Sequence, residues 1–247
     1  MSWKKPTQIV AWSFSRYSTY KQCPLKAKLK FIDKIDEPSN KAMERGSDIH
    51  NMAEHYIKGV LARIPKELKL FEKEMKALRK LYRERNKKGI IMAVEDTWAF
   101  TKEWDQTTWN DWANCCVRIK LDCAVEENEG HLIVTDWKTG RLRHEQSEDY
   151  NEQLELYALG AFLMFPDIHT VEPRLAYLDH GITYPELEGS MTYKRDDVPK
   201  LLKAWNNRVR PMLKDKKFAP RPNDKCHWCY YSAAKCRDRG VEPLCKY

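Results

Sequence analysis

Apolar and polar positions alternate with a period of two from Val117 to Val125. Val117, Ile119, Leu121, Cys123 and Val125 share one side, and Arg118, Lys120, Asp122 and Ala124 share the other. That alternation predicts a half-buried strand. A second run, Leu132-Ile-Val-Thr-Asp136, is apolar and β-branched, and the polar connector between the two contains Gly130. Two such runs joined by a short polar turn predict a hairpin. With the connector centred on Glu129, Asp122 falls opposite Asp136, and Lys138 shares the face of Asp136.

The remaining pattern places helices before and after this hairpin. Ser13 or Ser15 supplies an N-cap for a short helix carrying Tyr17 and Tyr20, and Pro24 opens a second helical turn. Residues 39 to 58 predict a helix capped at Ser39 or Asn40, on which Gly46, His50 and Glu54 share a face at four-residue spacing. After Pro65, the residues Leu68, Phe71, Met75, Leu78 and Leu81 form an apolar stripe on a charged helix reaching Lys88. Ile90 to Phe100 predict a strand that contains Glu95.

Beyond the hairpin, the basic loop Arg141-Leu-Arg-His144 leads to a helix starting at Asp149 or Asn151, with Gln153 and Tyr157 one turn apart. Residues 171 to 179 and 189 to 194 predict two further strands, and Pro173 sets the first near an edge. Asp196 or Asp197 caps a last long helix through Leu213. The whole order predicts an α/β fold, a mixed central β-sheet flanked by helices, as one domain over residues 1–247.

Composition adds little to the fold and something to the function. Lys and Arg number 44 against 36 Asp and Glu, a net charge of +8, which suits a polyanionic partner and equally an ordinary basic protein. No apolar run approaches a membrane span, and Met-Ser-Trp-Lys-Lys-Pro lacks the apolar core of a signal peptide, so a cytoplasmic protein without a membrane partner is expected. Four tryptophans at 98, 104, 109 and 112 belong either to the core or to a surface that stacks on unpaired bases.

The hairpin carries the candidate chemistry. Opposed carboxylates destabilise a strand pair, and a divalent cation held by Asp122 and Asp136 would remove that cost. A solvated hairpin face is the alternative. A second concentration of chemistry lies at the chain ends. Cys115, Cys116 and Cys123 read as small buried residues, whereas Cys226, Cys229, Cys236 and Cys245 crowd the last 22 positions. Cys226-x-x-Cys229 lets two thiolates reach one metal, and Cys23 beside Pro24 adds a distant fourth sulfur to Cys226, Cys229 and Cys236.

Asp122 followed by Asp136-Trp137-Lys138 resembles the core of the PD-(D/E)XK nucleases, and within them the RecB-type branch, which includes the RecB and AddB nuclease domains and the CRISPR-associated adaptation exonucleases. Cys23-Pro24, Gly46-x-x-x-His50, Gln153-x-x-x-Tyr157 and the terminal cysteine knuckle follow the same order. The resemblance implies a restriction-endonuclease-like core and a Mg²⁺- or Mn²⁺-dependent exonuclease acting on DNA ends in recombination, repair or phage DNA metabolism, with a helicase or recombination protein as possible partner. It implies His50, Asp122, Asp136 and the backbone carbonyl of Trp137 as metal ligands and Lys138 to position the attacking water. Gln153 and Tyr157 would hold the active-site strands, and Glu95 is an outside candidate. It also implies a [4Fe–4S] cluster on Cys23, Cys226, Cys229 and Cys236, binding residues 1–31 and 217–247 together. The gap before Cys236 is one residue longer than the family's pattern and Cys245 is also available, so zinc or free thiols stay open. A non-catalytic DNA-binding protein and a structure-selective endonuclease are the competing functions.

Overall fold

The hairpin forms where the alternation places it. Strand β3 (Val117–Asn128) pairs antiparallel with β4 (His131–Lys138), and the partners Cys123↔Thr135, Ala124↔Val134 and Val125↔Ile133 centre the turn on Glu129. Gly130 takes a φ of +73° at that turn, a conformation that costs glycine little. The computed structural model describes residues 6–142, 147–186 and 191–247. Arg143 and His144 of the predicted basic loop, and the first part of the strand predicted at 189–194, lie outside the described residues.

The chain divides into two compact units, one spanning Ser39–Lys203 and the other made of the residues up to Pro38 together with Ala204–Tyr247. In the larger unit, α3 (Lys41–Ile57) starts at Asn40, whose side-chain oxygen accepts from the Ala42 and Met43 N–H groups, each at 3.0 Å. These are the bonds that make asparagine a good N-cap. The predicted charged helix opens instead as a 3₁₀ turn, Lys66–Phe71, before α4 (Glu72–Lys88). Gly89, with φ +65°, ends α4.

Strand β1 (Met92–Phe100) pairs with β3 on one side and with the two-residue β2 (Gln106–Thr107) on the other. After the hairpin, α5 (Ser147–Met164) crosses to β5 (Thr170–Tyr177), which runs parallel to β4. The short β6 (Ile182–Tyr184) and β7 (Tyr193–Lys194) both pair with β5. Among the described residues the sheet has seven strands in the order β2-β1-β3-β4-β5-β6, with β7 also on β5. The mixed sheet with flanking helices is the predicted fold class.

Pro173 does not mark an edge. It lies in an interior strand, opposite Val134, and between the stretches of β5 that β7 and β6 occupy. Among the described residues no strand pairs with it on that side, which suits a residue without an N–H. One sheet face carries α3 and α4 over a core that includes Ile49, Ala53, Ile57, Leu68, Met75, Cys123 and Trp137. On α5, Gly160 lets the helix approach the sheet closely: a Cβ there would stand 2.6 Å from Ile119 Cδ1 and 3.1 Å from the Trp98 ring. Trp98 and Trp104 are buried, and Trp112 is 79% exposed against the Arg118 guanidinium.

The smaller unit is built on aromatic packing. Helix α1 (Phe14–Gln22) is capped by Ser13, and α2 (Pro24–Ala27) follows Cys23. Helix α6 (Val198–Lys214) begins in the larger unit and supplies Trp205 to this one, where Trp12 stacks on it at 5.5 Å and Tyr17 meets it edge-on at 5.4 Å. The Tyr20 hydroxyl donates to Asp215 Oδ2 at 2.8 Å, and Asn223 Nδ2 donates to Gln22 O at 3.1 Å. These bonds join the two sequence-distant segments, and the last helix, α7 (Ala233–Asp238), follows them.

Candidate active site

The strands of the hairpin part just beyond Cys123↔Thr135, and the carboxylates sit at that fork. The backbone N–H of Trp137 donates to Asp122 Oδ2 at 2.6 Å, so a side chain replaces the strand partner that the ladder would have supplied. Both Asp122 and Asp136 are 6% exposed. Burial, and next the negative charge of Asp136, push the Asp122 carboxyl up to about 6.

Strand β1 brings a third carboxylate. Val94↔Cys123 and Asp96↔Leu121 are paired, which leaves Glu95 opposite Asp122 without a bridge. Glu95 has a φ of +50°, a left-handed conformation that costs a non-glycine residue about 1–2 kcal/mol. Such strain persists where surrounding structure holds it. Here His50 Nδ1 lies 3.4 Å from Glu95 Oε1, and Lys120 Nζ lies 2.8 Å from Glu95 Oε2.

Helix α3 delivers His50. Gly46, one turn earlier, lies against the loop after Lys138, where a Cβ would stand 3.1 Å from Thr139 Oγ1. A bidentate pair fixes the same approach: Arg45 reaches Asp179 at 2.9 and 2.5 Å, and Asp179 Oδ2 also accepts from Gly140 N at 2.6 Å. The Arg45 guanidinium holds the Asp179 carboxyl down to about 2. His50 Nδ1 lies 3.0 Å from Asp122 Oδ1. Burial alone would depress the imidazole, but the bond to Asp122 and the contact with Glu95 outweigh it and raise His50 to about 10.

Asp136 is held from α5. The Tyr157 hydroxyl donates to Asp136 Oδ1 at 2.5 Å, and Gln153 Nε2 donates to the same oxygen at 3.2 Å. Burial and the Asp136 charge push the Tyr157 phenol well above its ordinary value, so it stays a donor. Lys138 Nζ lies 2.7 Å from Asp136 Oδ2 and donates to Gln153 Oε1 at 3.1 Å. Burial would lower the Lys138 ammonium, and Asp136 reverses that and raises it.

The structure therefore brings together His50, Asp122, Asp136, Lys138, Gln153 and Tyr157, and places the N–H of Trp137 on Asp122. Two residues gain weight from it. Glu95 joins His50 and Asp122 in a group whose donor atoms all lie within 4.8 Å of one another. Lys120, legible in the sequence only as an exposed strand charge, is the ion-pair partner of Glu95. Glu54 pairs with Lys58 at 2.6 Å.

This donor set fits a divalent cation. Three hard or borderline ligands converge, and Glu95 Oε1 and Asp136 Oδ2 are buried oxygens that accept no well-formed hydrogen bond among the described residues. Oxygens of that kind are what a hard cation takes.

In the smaller unit, Cys23, Cys226, Cys229 and Cys245 line one cavity. Cys236 is fully buried, with its Sγ 3.6 Å from Tyr231 O.

The parted hairpin on a mixed sheet, with its buried carboxylates and lysine, defines a restriction-endonuclease-like fold. The chain belongs to the PD-(D/E)XK nuclease superfamily, whose family model matches residues 11–237. Among solved structures, SSO0001 is 13% identical, with a TM-score of 0.44 over 93% of this chain and 86% of that one. A Eubacterium rectale protein named "Putative exonuclease" is 13% identical, with a TM-score of 0.45 over 89% of this chain and 87% of that one. No curated protein matches the chain. Among the described residues no helix is long and apolar enough to cross a membrane.

Proposed function

We propose that the protein is a metal-dependent deoxyribonuclease of the RecB-type branch that hydrolyses phosphodiester bonds at DNA ends. The observation that supports this reading is the Asp136–Lys138 pair at 2.7 Å, set beside the His50–Glu95–Asp122 group. His50, Asp122, Asp136 and the Trp137 carbonyl, with Glu95, would hold Mg²⁺ or Mn²⁺. A bound cation supplies Lewis-acid stabilisation of charge at the scissile phosphate.

The chain's own residues do the rest. Lys138 stays protonated beside Asp136 and directs a water toward the phosphorus. Tyr157 and Gln153 fix the rotamer of Asp136 by donating to Oδ1, which turns Oδ2 toward Lys138. The Trp137 N–H fixes Asp122 in the same way. Basic side chains neutralise backbone phosphates, so binding weakens as salt rises. The terminal cysteines form a separate soft-metal site, an iron–sulfur cluster by resemblance, with Cys23, Cys226 and Cys229 in its ligand set. Unwinding of duplex ends falls to a partner helicase, and recombination, repair or phage DNA metabolism is the setting.

The test compares linear duplex, single-stranded and covalently closed circular DNA with Mg²⁺ or Mn²⁺. Linear and single-stranded DNA should be degraded and closed circles spared. Cleavage of circles at the linear rate would replace the exonuclease with an endonuclease on the same site.

A further inference from the structure

We propose that the cleft between α4 and the sheet binds a small amphipathic anion, an apolar body carrying one carboxylate or phosphate group. The cleft lies apart from the hairpin fork, and the proposal is independent of the nuclease reading.

The apolar stripe of α4 forms one wall. Met75, Leu78 and Leu81 recur at helical spacing and turn toward the sheet. Strands β3, β4 and β5 present Val125, Ile133 and Ala176 opposite them. Helix and strands leave a cavity of about 710 Å³ between them, within the roughly 300–1,000 Å³ of small-molecule sites. Its lining includes Cys123 and Trp137 but none of His50, Glu95, Asp122, Asp136 and Lys138.

The floor of the cavity holds a cation without a counter-ion. Arg174 of β5 is paired with Thr135 of β4, and both line the cavity. The Arg174 Nε is buried without a hydrogen-bond partner, and among the described residues its guanidinium forms no ion pair. Glu172, on the same face of β5, faces His131 Nε2 at 3.9 Å instead. Glu126 is committed too, its carboxylate oxygens accepting from Ile91 N at 3.3 Å and from Gly130 N at 3.0 Å. Glu127 and Glu129 are exposed at the hairpin turn, and Glu129 is roughly 20 Å along the strand from Thr135 at ~3.3 Å per residue. A partly buried cation left unpaired is unfavourable, and an anionic head group would satisfy it. The planar fork of arginine matches carboxylate and phosphate oxygens alike. Thr135 and Thr183 add hydroxyls to the lining, and the apolar walls would take the rest of the ligand.

Isothermal titration calorimetry of the full-length protein should use laurate, monododecyl phosphate and dodecylammonium as probes, each below its micelle concentration. The anions should bind at one per chain, and the tighter of the two identifies the head group. Dodecylammonium, with the same tail and the opposite charge, should bind at least ~10-fold more weakly. Arg174→Met keeps an apolar side chain and removes the charge-assisted bonds, so it should weaken both anions by ~10-fold or more. Ala77→Trp adds a ring to the cavity wall from an exposed position of α4 and should weaken them as well. That variant decides the question even where Arg174→Met folds poorly. Equal affinity for the anions and dodecylammonium would overturn the proposal, as would unchanged anion affinity in either folded variant. Absence of anion binding would overturn it too. A dimer in sedimentation equilibrium that Ala77→Trp abolishes would then assign the cleft to a second copy of the chain.

Discussion

The Tyr157 hydroxyl donates to Asp136 Oδ1 at 2.5 Å, from a helix 21 residues further along the chain. That bond, with the weaker one from Gln153, sets which oxygen of Asp136 faces Lys138. Tyr157→Phe keeps the ring in its buried place and removes only the donor. A hydrogen bond to a charged group contributes about 1.5–3 kcal/mol. Steady-state nuclease assays should therefore show kcat reduced by about 10- to 100-fold, with a loss of folding stability of up to about the same 1.5–3 kcal/mol. Wild-type kcat in this variant would show that Asp136 is positioned without α5.

Asp136 and Lys138 should separate stability from activity. Lys138→Met leaves a buried carboxylate facing Asp122 with its cation gone. The cost should reach the lower part of the ~3–5 kcal/mol typical of a broken buried pair, because Lys138 keeps 27% exposure. Asp136→Asn instead removes the repulsion and keeps an acceptor for Tyr157. Asn also takes the charge partner from Lys138, so urea denaturation should find Asp136→Asn less stable than wild type but less destabilised than Lys138→Met, while DNA cleavage is lost. A greater loss of stability in Asp136→Asn than in Lys138→Met would contradict the electrostatic account of the fork.

His50 gives a pH signature in the cation-free protein. Its folded value near 10 lies above the ordinary value of 6.5. The stabilisation it brings is complete below about pH 6.5 and is lost as pH rises through about 10. The stability difference between wild type and His50→Gln should be greatest at the acid end of that window and shrink across it. A difference that is flat over this range would exclude the His50–Asp122–Glu95 arrangement.

The same proton must leave if the imidazole binds a cation, since a ligating histidine is neutral. Adding Mn²⁺ to a weakly buffered solution at neutral pH should release protons from wild type and fewer from His50→Gln. Equal release from both would remove His50 from the ligand set.

Arg45 and Asp179 hold the loop after Lys138 against α3. Asp179→Ala frees Gly140 N and the guanidinium, and half of Arg45 is already exposed, so the cost should be only ~1 kcal/mol. The effect on KM for DNA should exceed the effect on folding. Asp179 sits low, at about 2, so its contribution is present above the ordinary carboxylate value of 3.8 and lost as pH falls through about 2.

The register and turn of the hairpin were legible because a period of two and one glycine fix them, but the parting of its strands before Asp122 and Asp136 was not. The same local logic gave the Asn40 cap and the one-turn spacing of Gln153 and Tyr157. What stayed hidden depends on distance or on backbone conformation. Nothing local marks Glu95 as left-handed, and its role follows from standing opposite Asp122. Arg45 and Asp179 are 134 residues apart and meet only through the fold. β6 has three residues, too few to show an alternation. Pro173 signals an edge in the sequence, and a single sequence does not reveal that β5 has β4 on one side and β6 and β7 on the other.

The hairpin fork is the proposed catalytic centre. End-labelled linear DNA should be incubated with Mg²⁺ or Mn²⁺ and either wild type or Asp136→Ala, both purified without oxygen and both shown to be folded. Degradation by wild type that depends on the cation and disappears in Asp136→Ala is the predicted result. Equal degradation by both proteins would place the chemistry elsewhere, and no degradation by folded, metal-replete wild type would make this a DNA-binding protein on a nuclease fold.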